Sequence, residues 1–127
     1  MADNLPNALE DAVLDALVGV AAYSVTTPIK LALMTSNGND STPGTEVTGG
    51  SYARQTITFN AASSGSMTND TVINFTGMPA CTVVGIEIYD SAGTPKRLAY
   101  GALTANKTTA SGDTLQFGAS SITLSLS

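Results

Sequence analysis

The chain has 127 residues, of which 43% are hydrophobic and only 12% charged, so it suits one domain with a real core and is too apolar for extended disorder. Its net charge of −5 leaves five cations, Lys30, Arg54, Lys96, Arg97 and Lys107, scattered along the chain. Nucleic acid is therefore not an expected partner, because phosphate binding needs a clustered basic patch.

Cys81 stands alone, which excludes an internal disulfide or a CxxC metal site and leaves a core thiol as the ordinary reading. The opening Met1-Ala2-Asp3 has no basic stretch, and the apolar run after it is broken by Asp11 and Asp15. Neither a signal peptide nor a membrane span is expected, and cytosolic synthesis follows.

In chain order, Asn4 or Asn7 can cap a helix running to about Ala22, with Glu10 three residues after Asn7 as in a capping box. Leu5, Leu9, Val13 and Leu17 form an apolar stripe, and Ala8, Ala12, Ala16 and Gly19 an adjoining face of small side chains. Such a helix is expected to lie on its own sheet; the alternative is that its small-residue face receives another molecule.

After Thr26 the period changes to two. Ile29, Leu31 and Leu33 alternate with Lys30, Ala32 and Met34 in a half-buried strand. Further strands are expected at Ala53 to Phe59, Thr71 to Phe75, Thr82 to Tyr89, Arg97 to Thr104, Leu115 to Phe117, and through Ile122, Leu124 and Leu126. In the longest, Val84, Ile86 and Ile88 share one face, which sends Glu87 to the other side, toward solvent or a neighbouring subunit. Leu98, Tyr100 and Ala102 fall on one side of the next strand. Thr35 to Gly50 is a long surface loop rich in turn residues, and such loops are mobile or functional.

The series predicts a mainly β fold, an antiparallel β-sandwich of about seven strands with one N-terminal α-helix. Residues 1–127 form a single domain, with 1–24 as helix and link and 25–127 as sandwich.

Chemistry finds little footing. The chain has no histidine, so His-based triads, general catalysis and His metal sites are excluded. Glu46, Glu87 and Asp113 could pair as glycosidase carboxylates only if the fold joined them, and the absence of tryptophan weakens a carbohydrate platform. Asn37-Gly38-Asn39-Asp40 lacks EF-hand spacing and reads as a turn. No catalytic residue, cofactor or metal is expected.

The most distinctive stretch is Gly44-Thr45-Glu46-Val47-Thr48-Gly49-Gly50-Ser51-Tyr52-Ala53-Arg54-Gln55, a glycine-bearing loop that leads into a strand. It resembles a segment of small tailed-bacteriophage structural proteins, particularly of actinobacterial phages, of the tail-fibre-like, minor tail or head-decoration type. Leu14-Asp15-Ala16-Leu17, Lys30-Leu31-Ala32-Leu33, Val84-Gly85-Ile86, Tyr89-Asp90, Tyr100-Gly101-Ala102-Leu103-Thr104, Ser111-Gly112-Asp113-Thr114-Leu115 and Ile122-Thr123-Leu124 extend the resemblance over nearly the whole chain. It departs at Met78-Pro79-Ala80-Cys81, where the family often carries a tryptophan.

The resemblance implies a non-catalytic virion structural protein. The leading expectation is a capsid decoration or minor capsid protein bound to the major capsid protein or other virion proteins, as a homo-oligomer and by analogy a trimer. The alternative is a minor tail or fibre-associated protein that contacts a host surface ligand. Interface candidates are Leu5, Leu9, Ala12 and Val13 on the helix, and Glu46, Gly49, Gly50, Tyr52 and Arg54 in the loop.

Overall fold

A computed structural model describes residues 5–125. The candidate cap Asn4 and the last strand position Leu126 lie outside them. One helix, α1 (Asn7–Leu17), precedes nine strands: β1 (Lys30–Ser36), β2 (Thr45–Glu46), β3 (Gln55–Thr56), β4 (Ser66–Thr68), β5 (Ile73–Met78), β6 (Cys81–Tyr89), β7 (Arg97–Thr109), β8 (Asp113–Phe117) and β9 (Thr123–Ser125). All pairings are antiparallel. The mainly β architecture with one helix is the expected one, with two-residue and three-residue strands raising the number above seven.

The largest sheet runs β2-β1-β6-β7, and β3 shares the outer edge of β1 with β2. Lys30 and Leu31 pair with β3, whereas Met34 and Ser36 pair with β2. β5 pairs with β8 and β4 with β9. Alternation sends Leu31, Leu33, Ile86, Ile88 and Ala99 into one apolar cluster, where they meet Ile73, Phe75, Leu115 and Phe117 of the β5–β8 pair. Phe75 and Phe117 pack edge to face, 6.1 Å apart. Each such large apolar side chain contributes about 2 kcal/mol by leaving water, and this shared core holds the layers together.

Asn69 is fully buried beside it, with its hydrogen bonds satisfied. Its side-chain amide donates to the carbonyls of Thr71 and Gly118, and its oxygen accepts from the Ile122 amide at 2.9 Å. One side chain thereby ties the approach to β5 to the approach to β9.

A bulge in the β6–β7 ladder alters the expected face of β6. Val83 pairs with Lys107 but Gly85 pairs with Ala102, so three extra β7 residues are accommodated there. Val83 enters the core beside Ile86 and Ile88, while Val84 is only half-buried. On β7 the fully buried residue is Ala99; its neighbour Tyr100 turns to the opposite face, and Ala102 is exposed.

The helix departs further from expectation. Pro6 occupies the N-cap position and supplies no side-chain cap, while Asn7 is already helical. The Asn7 amide instead donates to the Asp40 carbonyl at 3.1 Å. Gly19, with φ of +78°, ends the helix in the left-handed conformation, and the Val20 and Gly19 amides fold back onto the Asp15 and Ala16 carbonyls. The helix therefore stops at Leu17 rather than near Ala22. Its cover is partial: none of its residues is fully buried, Leu9, Ala12 and Val13 are half-buried, and Leu14 and Leu17, with Val18 and Val20 just beyond, are 61–75% exposed. No helix among the described residues is long and apolar enough to cross a membrane.

Candidate functional site

The second face of the large sheet carries Ala32, Met34, Glu87 and Tyr89, all buried. Burial there depends on the segment 37–44, which folds back over β6. Asn39 builds its turn, its side-chain oxygen accepting the Ser41 and Thr42 amides at 2.9 Å each. Close approach needs glycine beneath: a β-carbon on Gly85 would stand 1.8 Å from Asn37 Oδ1, and one on Gly38 2.6 Å from Glu87 Oε2. The Asn37 to Asp40 stretch is thus a turn, as its composition predicts.

Glu87 is the centre of this layer and is fully buried, not directed to solvent or a subunit contact. The Gly44 amide donates to it at 2.7 Å, the Tyr89 hydroxyl at 2.7 Å and Arg97 Nη1 at 3.4 Å. Arg97 Nη2 also donates to the Asn39 carbonyl at 2.6 Å, and its guanidinium lies 4.9 Å from the Tyr100 ring. The Tyr100 hydroxyl donates to Asp40. Charge buried with partners on every side clamps the loop onto the strands.

A second cluster adjoins it. Arg54 holds Glu46 with two donors, at 2.8 and 3.0 Å, and the Tyr52 hydroxyl donates to the same carboxylate at 2.7 Å. The Leu33 amide in turn donates to the Tyr52 hydroxyl at 2.9 Å, so the phenol fills the gap in the β1 edge between β2 and β3. Tyr52 also stacks on Phe75, 6.0 Å away. Burial would raise the Glu46 pKa, but its hydrogen bonds from Arg54 and Tyr52 outweigh it and hold the carboxyl below its ordinary value. Burial raises the Tyr52 and Tyr89 phenols, and the Glu46 and Glu87 carboxylates push each further in the same direction.

Of the residues singled out in the sequence, Glu46, Tyr52 and Arg54 therefore meet in one network. Gly49 and Gly50 form a left-handed turn, with φ of +103° and +56°, seated on the end of β5 where the Ser51 amide donates to the Gly77 carbonyl. Leu5 packs against the main core. Leu9, Ala12 and Val13 are half-buried, and Leu9 lines an open cleft of about 390 Å³ with Tyr23, Asp40, Tyr89, Lys96 and Arg97. Arg97 and Asp40 are not among the interface candidates read from the sequence, and Glu87 enters there only as a carboxylate turned to solvent or a subunit, although the alternation around Ile86 and Ile88 already sends it to this face.

The carboxylates considered for catalysis each hold structure. Glu46 is paired with Arg54, Glu87 with Arg97, and Asp113 accepts the Ala110 amide in the β7–β8 turn at 2.8 Å. Among the described residues no cluster of acidic or cysteine side chains is arranged to hold a metal. What the face offers is a rigid, loop-bearing surface flanked by an exposed helix end, an arrangement suited to contact with another molecule.

The family model described as Podophage GP4 fiber I protein gp80 matches residues 4–125. The chain belongs to this family. It is a phage protein of the tail-fibre-like class, and membership makes it a structural component of the virion. No curated protein matches the chain. The matched span takes in the helix, the loop and every strand, so the Gp80 family assignment covers the whole described fold.

Proposed function

We propose that this Gp80 family protein is a fibre-associated component of the phage tail, a β-sandwich building block that joins other virion proteins and helps present the fibre to a host surface ligand. The observation that carries this reading is the family match over 4–125 to a fibre protein. The shortage of charge, 12% of residues, and the bare apolar end of α1 support burial of part of this surface in an assembled particle. The tail reading thereby takes precedence over capsid decoration.

Quantitative mass spectrometry of purified virions, together with immunogold labelling against this chain, tests the proposal. A low copy number with label at the tail is the expected result. Hundreds of copies with label over the shell would overturn it in favour of the decoration role.

A further inference from the structure

The large sheet has two unlike edges. At one, β2 and β3 are two residues each, and the gap between them is closed by the Tyr52 hydroxyl on the Leu33 amide. That edge is blunted. At the other, β7 runs for 13 residues, and outside the β6 ladder no hydrogen bond among the described residues engages its backbone. In an antiparallel ladder alternate residues turn their N–H and C=O groups outward, so one side of β7 presents a row of unfilled donors and acceptors.

Edge strands are ordinarily protected by proline, by charge or by a bulge. β7 contains no proline, and Leu98 to Asn106 carry no charge. Arg97, at its start, is neutralised by Glu87. The bulge opposite Val83 to Gly85 interrupts the far half and a second bulge, at Leu98 between Ile88 and Tyr89, interrupts the near end, but Ala99 to Ala102 form a regular ladder with Ile88, Glu87, Ile86 and Gly85. A short, uncharged edge is left between the two bulges.

We infer that Ala99 to Ala102 of β7 pair with the same segment of a second copy of this chain, antiparallel about a two-fold axis. The partner is another β7 because an antiparallel edge is complementary to itself, and the opposite edge of the large sheet is too short and too interrupted to serve. Charge points the same way. Two α1 helices meeting would bring Glu10, Asp11 and Asp15 of each copy together, whereas the β7 segment itself carries no charge. The groove beside the edge, lined by Leu103, Thr104, Lys107, Gln116 and Phe117, would take side chains that flank the added strand. Copies thus associate in pairs through this edge, not in threes.

The test is analytical ultracentrifugation of the full chain over a range of concentrations, combined with amide hydrogen exchange. A dimer is expected, with alternate amides of Ala99 to Ala102 protected more strongly as concentration rises. The double variant Ala102→Lys and Thr104→Lys, both at exposed positions, should raise the dissociation constant about tenfold or more with an unchanged circular dichroism spectrum. The helix variant Leu14→Gln with Leu17→Gln should leave the dimer intact. A chain that stays monomeric at its solubility limit overturns the inference, as does an oligomer whose β7 amides exchange freely. So does one that is dissociated by the helix variant; the exchange measurement on the unaltered chain decides the matter even if the lysine variant fails to fold.

Discussion

The guanidinium carbon of Arg54 lies 4.0 Å from the centroid of the Tyr89 ring. Since Arg54 also grips Glu46 with two donors, it bridges the loop before β3 to the end of β6. Arg54→Ala should lower stability by about 1–2 kcal/mol, the range for a partly exposed ion pair with a stacked ring. Arg54→Lys should recover less than half of that, because an ammonium cannot reproduce the planar fork. Urea unfolding followed by circular dichroism measures both.

Glu87 is expected to matter more. It is fully buried, and its removal leaves the Gly44 amide, the Tyr89 hydroxyl and Arg97 short of an acceptor. Glu87→Ala should cost about 3 kcal/mol or more, since an unpaired buried cation costs more than the pair contributes. The accompanying sign is release of the loop: limited proteolysis should cut within 37–44 in this variant and not in the parent chain.

Gly85 and Asn37 should behave as a coupled pair. The missing β-carbon would sit 1.8 Å from Asn37 Oδ1 and 2.8 Å from the Gly101 carbonyl, so Gly85→Ala is expected to destabilise by about 2 kcal/mol or more through forced displacement. Asn37→Ala in the same chain removes the nearer obstacle. The double-mutant cycle should then show non-additivity above about 0.5 kcal/mol, and additive losses would contradict the contact.

Acid should weaken the fold through Glu46 and Asp90. Backbone amides, that of Lys96 foremost, hold Asp90 below its usual pKa despite its burial, with Thr26 and Ala92 assisting; Glu46 is depressed by Arg54 and Tyr52 against its own burial. A depressed folded-state pKa means stability that is fully present above the unfolded value, about 4, and that is lost as pH falls through the folded value. The urea midpoint should therefore decline below about pH 4, and Asp90→Asn should flatten that decline. Tyr52 and Tyr89 carry the opposite sign. Their raised pKa values make stability fall only as pH climbs past about 10, where unfolded tyrosines begin to ionise.

Alternation made the core strands legible from the residues: Leu31 with Leu33, Ile73 with Phe75, and Ile86 with Ile88 all enter one cluster. What escaped was set by tertiary geometry. The β6–β7 bulge exchanged Val83 for Val84, because register depends on the partner strand. Glu87 was placed on its correct face, but solvent was assumed there, since no local pattern announces that a loop 43 residues away in sequence will donate Gly44 to it. Glu46, Tyr52 and Arg54 stood out through a distinctive segment, and their convergence depends on how β1 leaves a gap for the Tyr52 hydroxyl. At α1 the stripe holds at its start, where Leu5 packs on the core and Leu9 and Val13 are half-buried, and fails at its end, where Leu17 joins Leu14 and Val18 on an uncovered face. An amphipathic pattern records that a helix has an apolar face without naming what covers it.

That uncovered face supplies the last test. Leu17 and Val18 are each 75% exposed and Leu14 61%, so they contribute little to the stability of the isolated chain. Leu14→Gln with Leu17→Gln keeps good helix formers and should shift unfolding by no more than about 0.5 kcal/mol. If this helix end is buried against another virion protein, the same variant should be depleted from particles in a complementation assay while its soluble level stays normal. Depletion together with a lost fold would point to an internal packing role, and normal incorporation would remove the helix from the assembly interface. Because stability and incorporation are read separately, the paired measurement distinguishes a surface kept apolar for a partner from one that is merely tolerated.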